Sequence, residues 1–221
     1  MYNKFLFFLC FIYFSVGAQQ ADFEMARSYF DDARYALAQN LFLDQLTSGS
    51  HDEDELLYFI ARCSNYLSNT DTKYWYSLLL DDHEYSSYHD LAKRDLSFIY
   101  FSEKEYEKSV ALLSNINDER LQDDEFIFKL AYSLFMIDSL EDSKLHFSKV
   151  KQMGGKYYSL SLYYYAHISY IQNLYQAALF DFKLLQEDKV FSGIVPYYIT
   201  QIYFSQKQYQ YLVDYAEPIL K

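Results

Sequence analysis

The stretch Tyr158–Leu185, YSLSLYYYAHISYIQNLYQAALFDFKLL, decides the fold. Its apolar residues recur at helical spacing on both sides of a polar pair, Gln172 and Asn173, so it reads as two helices joined by a short turn. Two small residues interrupt an otherwise aromatic segment: Ala166 in the first helix and Ala178 in the second. That spacing brings them face to face when the helices fold back antiparallel, and a small side chain on each lets the backbones close up. Tyr175 opens the second helix. Phe182 lies two turns further on, on the side that should meet a following unit. Such a hairpin cannot bury both its faces alone and needs copies of itself alongside.

The copies are present. The small residue of the first helix recurs as Ala26, Ala61, Ser97, Ala131, Ala166 and Thr200, in steps of 35, 36, 34, 35 and 34. The residue opening the second helix recurs as Tyr35, Tyr106, Leu140, Tyr175 and Tyr209, and the second repeat is degenerate at this point. Three residues after each opener stand Ala38, Ser109, Ser143, Ala178 and Leu212. Four further on stand Phe42, Leu113, Phe147, Phe182 and Ala216. The expected hairpins pair 21–31 with 35–46, 54–68 with 72–80, 88–102 with 106–116, 124–137 with 141–151, 158–171 with 175–185, and 195–206 with 209–220. Five glycines and two prolines in 221 residues argue against a sheet protein with many tight turns, and no Gly/Ser linker divides the chain.

A period near 34 with this pattern resembles the tetratricopeptide repeat (TPR). The resemblance covers about six units, from Ala21 onward. It implies an all-α fold, an α-solenoid in which the TPR-like hairpins form a right-handed superhelix. The passages YYSLSLYYYAHISYIQNLYQAALFDFKLL, VFSGIVPYYITQIYFSQKQYQYLVDYAEPIL and ARCSNYLSNTD are also similar to long exported TPR proteins of Bacteroidota-type bacteria, scaffolds at the cell envelope. In that group the array runs well past this length. The last helix reaches Lys221 without a polar capping helix, which adds to the expectation that the array continues.

Met1–Ala18, MYNKFLFFLCFIYFSVGA, has one lysine, Lys4, before an apolar run from Phe5 to Val16, and ends in small residues. It reads as a secretory signal peptide cleaved before Gln19, leaving residues 19–221 as the array. The run is too short to favour a membrane anchor. A lipoprotein signal would need a small residue before Cys10, where Leu9 stands. Without this segment the formal charge is one unit more negative than the −12 of the whole chain. Such an acidic protein is a poor partner for nucleic acid or anionic membrane. Its carboxylates, as in Asp52–Glu55 and Asp123–Glu125, suit solvated faces and helix N-termini. Cys63 remains the one cysteine, so no internal disulfide is expected. Inside a first helix it behaves as a small apolar residue.

Catalytic patterns are thin. The five histidines, His51, His83, His89, His146 and His167, form no H-E-x-x-H, and no G-x-S-x-G, P-loop or G-x-G-x-x-G occurs. Asp81, Asp82, His83, Glu84 and His89 could together hold a metal, but a solvated acidic loop explains them more simply. The reading is therefore non-enzymatic, with no cofactor and no metal.

In TPR arrays the first helices line a concave groove, with residues three before the small residue and one, four and five after it. Carried onto this chain, the resemblance assigns Tyr58, Arg62 and Asn65 in the second repeat; Arg94, Phe98 and Phe101 in the third; and Phe128, Tyr132 and Phe135 in the fourth. The last two repeats give Tyr163, His167 and Tyr170, then Tyr197, Gln201 and Phe204. The groove would be aromatic with a few polar handles, which suits capture of a protein or peptide partner, or stacking on sugar rings. The competing reading is that these aromatics pack between neighbouring helices. The function expected is an exported scaffold of the periplasm or outer membrane that binds a protein partner. The alternative is a glycan-binding or nutrient-uptake accessory protein.

Overall fold

The computed structural model describes residues 21–49 and 51–219; the expected signal peptide lies outside them. The described residues form twelve α-helices and no strand. In chain order they are α1 (21–31), α2 (Tyr35–Ser48), α3 (Glu53–Tyr66), α4 (Thr72–Asp82), α5 (His89–Ser102) and α6 (Tyr106–Leu113). A 3₁₀ turn, Glu119–Leu121, then precedes α7 (Asp124–Met136), α8 (Leu140–Met153), α9 (Tyr158–Ile171), α10 (Tyr175–Leu184), α11 (Val195–Ser205) and α12 (Tyr209–Ala216). Odd-numbered helices are the first helices of the six hairpins. Among the described residues no helix is long and apolar enough to cross a membrane.

The six hairpin turns share one construction. Each first helix ends in a residue with left-handed backbone: Ala33, Ser68, Lys104, Asp138, Asn173 and Lys207, with φ between 57° and 64°. Each of these lies seven residues after the small residue of its repeat. Its N–H donates to the carbonyl three residues back, and the next N–H donates to the carbonyl five residues back, as in Ala33 to Phe30 (3.0 Å) and Arg34 to Tyr29 (2.8 Å). This is the Schellman arrangement, which satisfies carbonyls left over at a helix end. The same pair of bonds recurs at Ser68, Lys104, Asp138, Asn173 and Lys207. No glycine supplies the left-handed residue at any of the six.

Between hairpins the local chemistry differs. Gly49 closes α2 at φ 62°. Asp123 caps α7, its Oδ1 accepting from the Phe126 N–H at 2.9 Å, and Pro196 stands in the first turn of α11, where its missing N–H costs nothing. At Gly155 (φ 77°) the left-handed backbone favours glycine, and a Cβ there would also displace the Asp124 carboxylate, 2.9 Å away.

The small residues sit where the spacing places them. Ala26, Ala61, Ser97, Ala131 and Ala166 are fully buried, and so are Ala38, Ser109, Ser143 and Ala178 opposite them. Phe42, Phe147 and Phe182 are likewise sealed. Ser143 donates to the Ala131 carbonyl at 2.8 Å across the fourth hairpin, so a small polar side chain there closes the two backbones with a hydrogen bond. The sixth repeat departs from this: Thr200 is half-buried, and Val195, Ile199 and Ile202 carry its core.

The second repeat departs too. Helix α4 starts two residues later than the register of the other openers, and it buries Thr72, Tyr76 and Leu79 instead of residues 73 and 77. The helix is rotated relative to its counterparts, which is why the opener is not legible in the sequence.

Packing groups the chain into two compact units, one ending at Leu96 and the other starting at Ser97. In the first, α2 packs on α3 and α3 on α4. In the second, successive helices from α6 to α12 pack each on the next.

Candidate binding surface

The identical turns hold the first helices in a common register, so equivalent positions form columns. Two residues before the small residue, each first helix projects a side chain into the preceding hairpin. Phe59 of α3 stacks on Phe42 of α2 (5.4 Å) and meets Phe30 of α1 edge-on (5.3 Å). Tyr164 of α9 stacks on Phe147 of α8 (5.4 Å) and contacts Tyr132 and Phe135 of α7. Tyr198 of α11 stacks on Phe182 of α10 at 4.8 Å and touches Tyr163, His167 and Tyr170 of α9. Each ring fills a hole walled by the second helix of the previous hairpin and by the columns three before, one after and four after its small residue. These projecting residues were not singled out in the sequence, although the aromatic recurrence at Phe59, Tyr164 and Tyr198 was there to find.

In the middle of the chain the projecting side chain is charged. Asp95 of α5 takes the place of the ring, and the rotated α4 presents Tyr76 to it. The Asp95 carboxylate accepts from the Tyr76 hydroxyl (3.1 Å) and the Tyr58 hydroxyl (3.4 Å), with Arg62 Nε 3.9 Å away. Burial pushes the Asp95 carboxyl above its usual range, against the opposing pull of Arg62 and the hydroxyls. Burial, and then the neighbouring carboxylate, raise Tyr58 and Tyr76 as well. Lys129 holds the next such position. Its ammonium lies 3.6 Å from the centre of the Phe98 ring and 2.9 Å from Glu125, so a cation–π contact and an ion pair replace the aromatic stack.

This packing sorts the groove residues assigned from the sequence. Tyr58 and Phe128 are buried and serve the core. Tyr163 is half-buried, stacked on Phe191 at 4.6 Å, its hydroxyl 3.4 Å from that of Tyr198; burial and that contact raise its ionisation well above the ordinary range. Phe98, Phe101, Tyr132, Phe135, His167 and Tyr170 are half-buried and meet the inserting side chains, and Arg62, Arg94 and Gln201 are half-buried too. Burial lowers the pKa of His167. Asn65, Tyr197 and Phe204 are exposed.

The column five residues after the small residue is open in every repeat: Asp31 and Tyr66 in the first unit, Ser102, Met136, Ile171 and Ser205 in the second. This position was part of the expected groove, but its residues stand out only once burial separates them from the others. Met136 and Ile171 are 45% and 47% exposed, large apolar side chains held in register on neighbouring first helices.

Cys63 is buried, free, and pushed up to about 12 by desolvation, so it is no nucleophile at neutral pH. Among the described residues no group of three or more His, Cys, Asp or Glu side chains comes together to hold a metal.

No protein-family model matches the chain, and no curated protein matches it in sequence. Solved structures do. MamA of AMB-1 superposes with a TM-score of 0.65 at 15% identity, over 77% of this chain and 91% of that one. A tetratricopeptide repeat protein from Parabacteroides merdae gives 0.62 at 12% identity, over 92% of this chain and 79% of the other. The pilF protein of Pseudomonas aeruginosa gives 0.56 at 11%, over 93% and 91%. At such identities the likeness speaks for fold, and the fold is that of a tetratricopeptide-repeat solenoid.

Proposed function

We propose that this chain is an exported, non-enzymatic scaffold that takes hold of a segment of a partner protein along the first-helix columns of its second unit. One observation carries the reading. No Asp, Glu, Lys or Arg occupies a groove position from Phe98 to Ser205, in a chain where those types make up 23% of residues. Four of the six exposed members of those columns, Met136, Ile171, Tyr197 and Phe204, are large and apolar, and the other two are Ser102 and Ser205. Apolar side chains aligned in register on an acidic protein favour contact with another molecule over solvation. Export is supported by the sequence before Gln19 alone.

The test must avoid residues that hold the hairpins together. Tyr163 and Tyr170 pack on Tyr198, so replacing them confuses binding with folding. Met136→Ser with Ile171→Ser changes only exposed side chains. A displayed library of random peptides, selected on the purified protein, should enrich apolar sequences. The double variant should bind them at least about tenfold more weakly, roughly the effect of losing one good apolar contact, with helical circular dichroism unchanged. No enrichment, or equal binding by the variant, rejects the groove. Binding of oligosaccharides instead, with the same loss in the variant, would turn the reading to a glycan-binding protein. For export, the N-terminus of protein recovered from the periplasm of a bacterial host should be Gln19; an intact Met1 in the cytoplasm would rule it out.

A further inference from the structure

The groove of the second unit contains one side chain that changes charge near neutral pH. Its column positions from Phe98 to Ser205 hold no Asp, Glu, Lys or Arg, and their titratable groups are tyrosines and His167. Phenols ordinarily titrate near about 10 and histidine near about 6.5. His167 is half-buried, one turn before Ile171 on the same face of α9. Its ring meets that of Phe135, the chain neighbour of Met136 in α7, at 5.8 Å. A segment lying across Met136 and Ile171 therefore passes beside the imidazole. We propose that His167 makes the grip of this groove pH-dependent, holding an uncharged segment of the partner while the imidazole is neutral and releasing it when the ring takes a proton. The inference rests on the groove reading above and adds a control to it.

The surroundings of the ring suit its neutral form. It is stacked on Tyr163 at 5.9 Å, and it meets Phe135 of α7 and, at 5.4 Å, Tyr198 of α11. The titratable groups facing it are thus the Tyr163 and Tyr198 hydroxyls. Burial alone lowers its pKa; among the described residues no charged side chain of α7, α8, α10 or α11 acts on it, so nothing steadies the cation. Nδ1 is sealed from solvent and has no hydrogen-bond partner. A neutral imidazole can leave that nitrogen bare and carry its proton on Nε2, whereas the imidazolium has a donor on both. Protonation therefore charges the groove and also sets a buried donor among aromatic rings. A ligand reaches the imidazole only through Nε2, where the neutral ring donates. That matches a backbone carbonyl of an apolar segment. Such a segment strips further water from the ring and opposes the cation more strongly than the free groove does. By linkage the cation weakens the complex by the same factor. An acidic segment would reverse the sign, but it would have to approach a chain of net charge −12.

The experiment uses the apolar peptides selected on the wild type, with blocked termini and without Asp, Glu or His, so that only the protein titrates. If the complex lowers the pKa of His167 by a further one or so, wild-type affinity should fall about fivefold from about pH 7.5 to about pH 5. His167→Gln, uncharged throughout, should bind them with an affinity that hardly changes over that range, whatever its level at the higher pH. His146→Gln, on α8 and outside the groove columns, should keep the wild-type dependence. Circular dichroism of the free proteins at each pH separates release from unfolding. The reciprocal measurement stays within the folded range: the His167 Cε1–H resonance, assigned by its loss in His167→Gln, should titrate at lower pH with peptide bound than without. Affinity independent of pH in the wild type, the same dependence in His167→Gln, or an unmoved His167 titration overturns the proposal. So does binding that strengthens on acidification, which would make the ligand anionic at this position. If the Met136→Ser, Ile171→Ser variant loses binding while His167→Gln keeps the pH dependence, the groove stands and this inference falls. If nothing is enriched, both fall.

Discussion

Asp95 shows how a single substitution propagates. Where Phe59, Tyr164 and Tyr198 each insert a ring, Asp95 inserts a carboxylate, and the surroundings adapt. Helix α4 turns Tyr76 toward it and α3 brings Tyr58 and Arg62. Burial raises its pKa, so the folded protein binds the Asp95 proton more readily than the unfolded chain does. Its contribution to stability is then fully present below the unfolded value and is lost as pH rises through the folded one. Urea denaturation across a pH series should show the wild type gaining stability relative to Asp95→Asn as pH is lowered through that window. A stability difference independent of pH would show that Arg62 and the hydroxyls fully offset the burial. His167 works in the opposite sense. Burial lowers its pKa, so its neutral form supports the fold and stability falls as pH drops below about 6.5, the ordinary histidine value. His167→Gln should remove that part of the acid sensitivity. Neither group was recognisable from composition. Asp95 looks like one more surface acid, and only its place two residues before Ser97 marks it as an inserting residue.

At the scale of the element, the hairpins were legible almost to the residue. The expected α1, the ends of α5 and α7 and the starts of α9 to α12 match the observed helices within a residue or two. The reason is that one turn type is used six times, so a period in the sequence is also a period in backbone geometry. Helix α4 also starts at Thr72 as expected, but its opener could not be read from the period, because its start and its buried set are shifted relative to the other repeats. The turns themselves also carry a cost. A non-glycine residue in the left-handed region is disfavoured by roughly 1–2 kcal/mol, and six occur here. Ala33→Gly should relieve that strain, less the roughly 0.4–1 kcal/mol of extra unfolded-state freedom that glycine brings. The expected net gain is up to about 1 kcal/mol, measured by chemical denaturation. A loss would mean that Ala33 contributes contacts the turn geometry does not reveal. Which first-helix residues are exposed was legible only in part. The column arithmetic placed fifteen residues correctly on first helices, but position on a helix does not say whether the next helix covers it. Tyr58 and Phe128 lost their exposure to neighbours some 30 residues away, a fact that local periodicity does not contain.

For the molecule as a whole, stability in a repeat array is close to a sum of hairpin terms and nearest-neighbour terms. Where the inserting side chain is a ring, it contributes to the neighbour term by touching both helices of the hairpin before it. Tyr198 is the clearest case. Its ring contacts Tyr163, His167 and Tyr170 on one side and stacks on Phe182 on the other. Truncating a large aromatic in such a site costs about 3 kcal/mol. In a single cooperative core that cost would be felt everywhere. In a one-dimensional array it should be felt where the contact is. Tyr198→Ala is therefore expected to speed amide exchange strongly in α11 and α12, more weakly in α9 and α10, and hardly at all in α2 and α3. Hydrogen–deuterium exchange resolved by peptide would read this directly. Uniform acceleration along the chain would mean that the hairpins unfold together, and the columns would then have to be treated as one surface in any account of binding. A graded response would instead allow a partner on one unit to order its own hairpins without changing the exchange of the others.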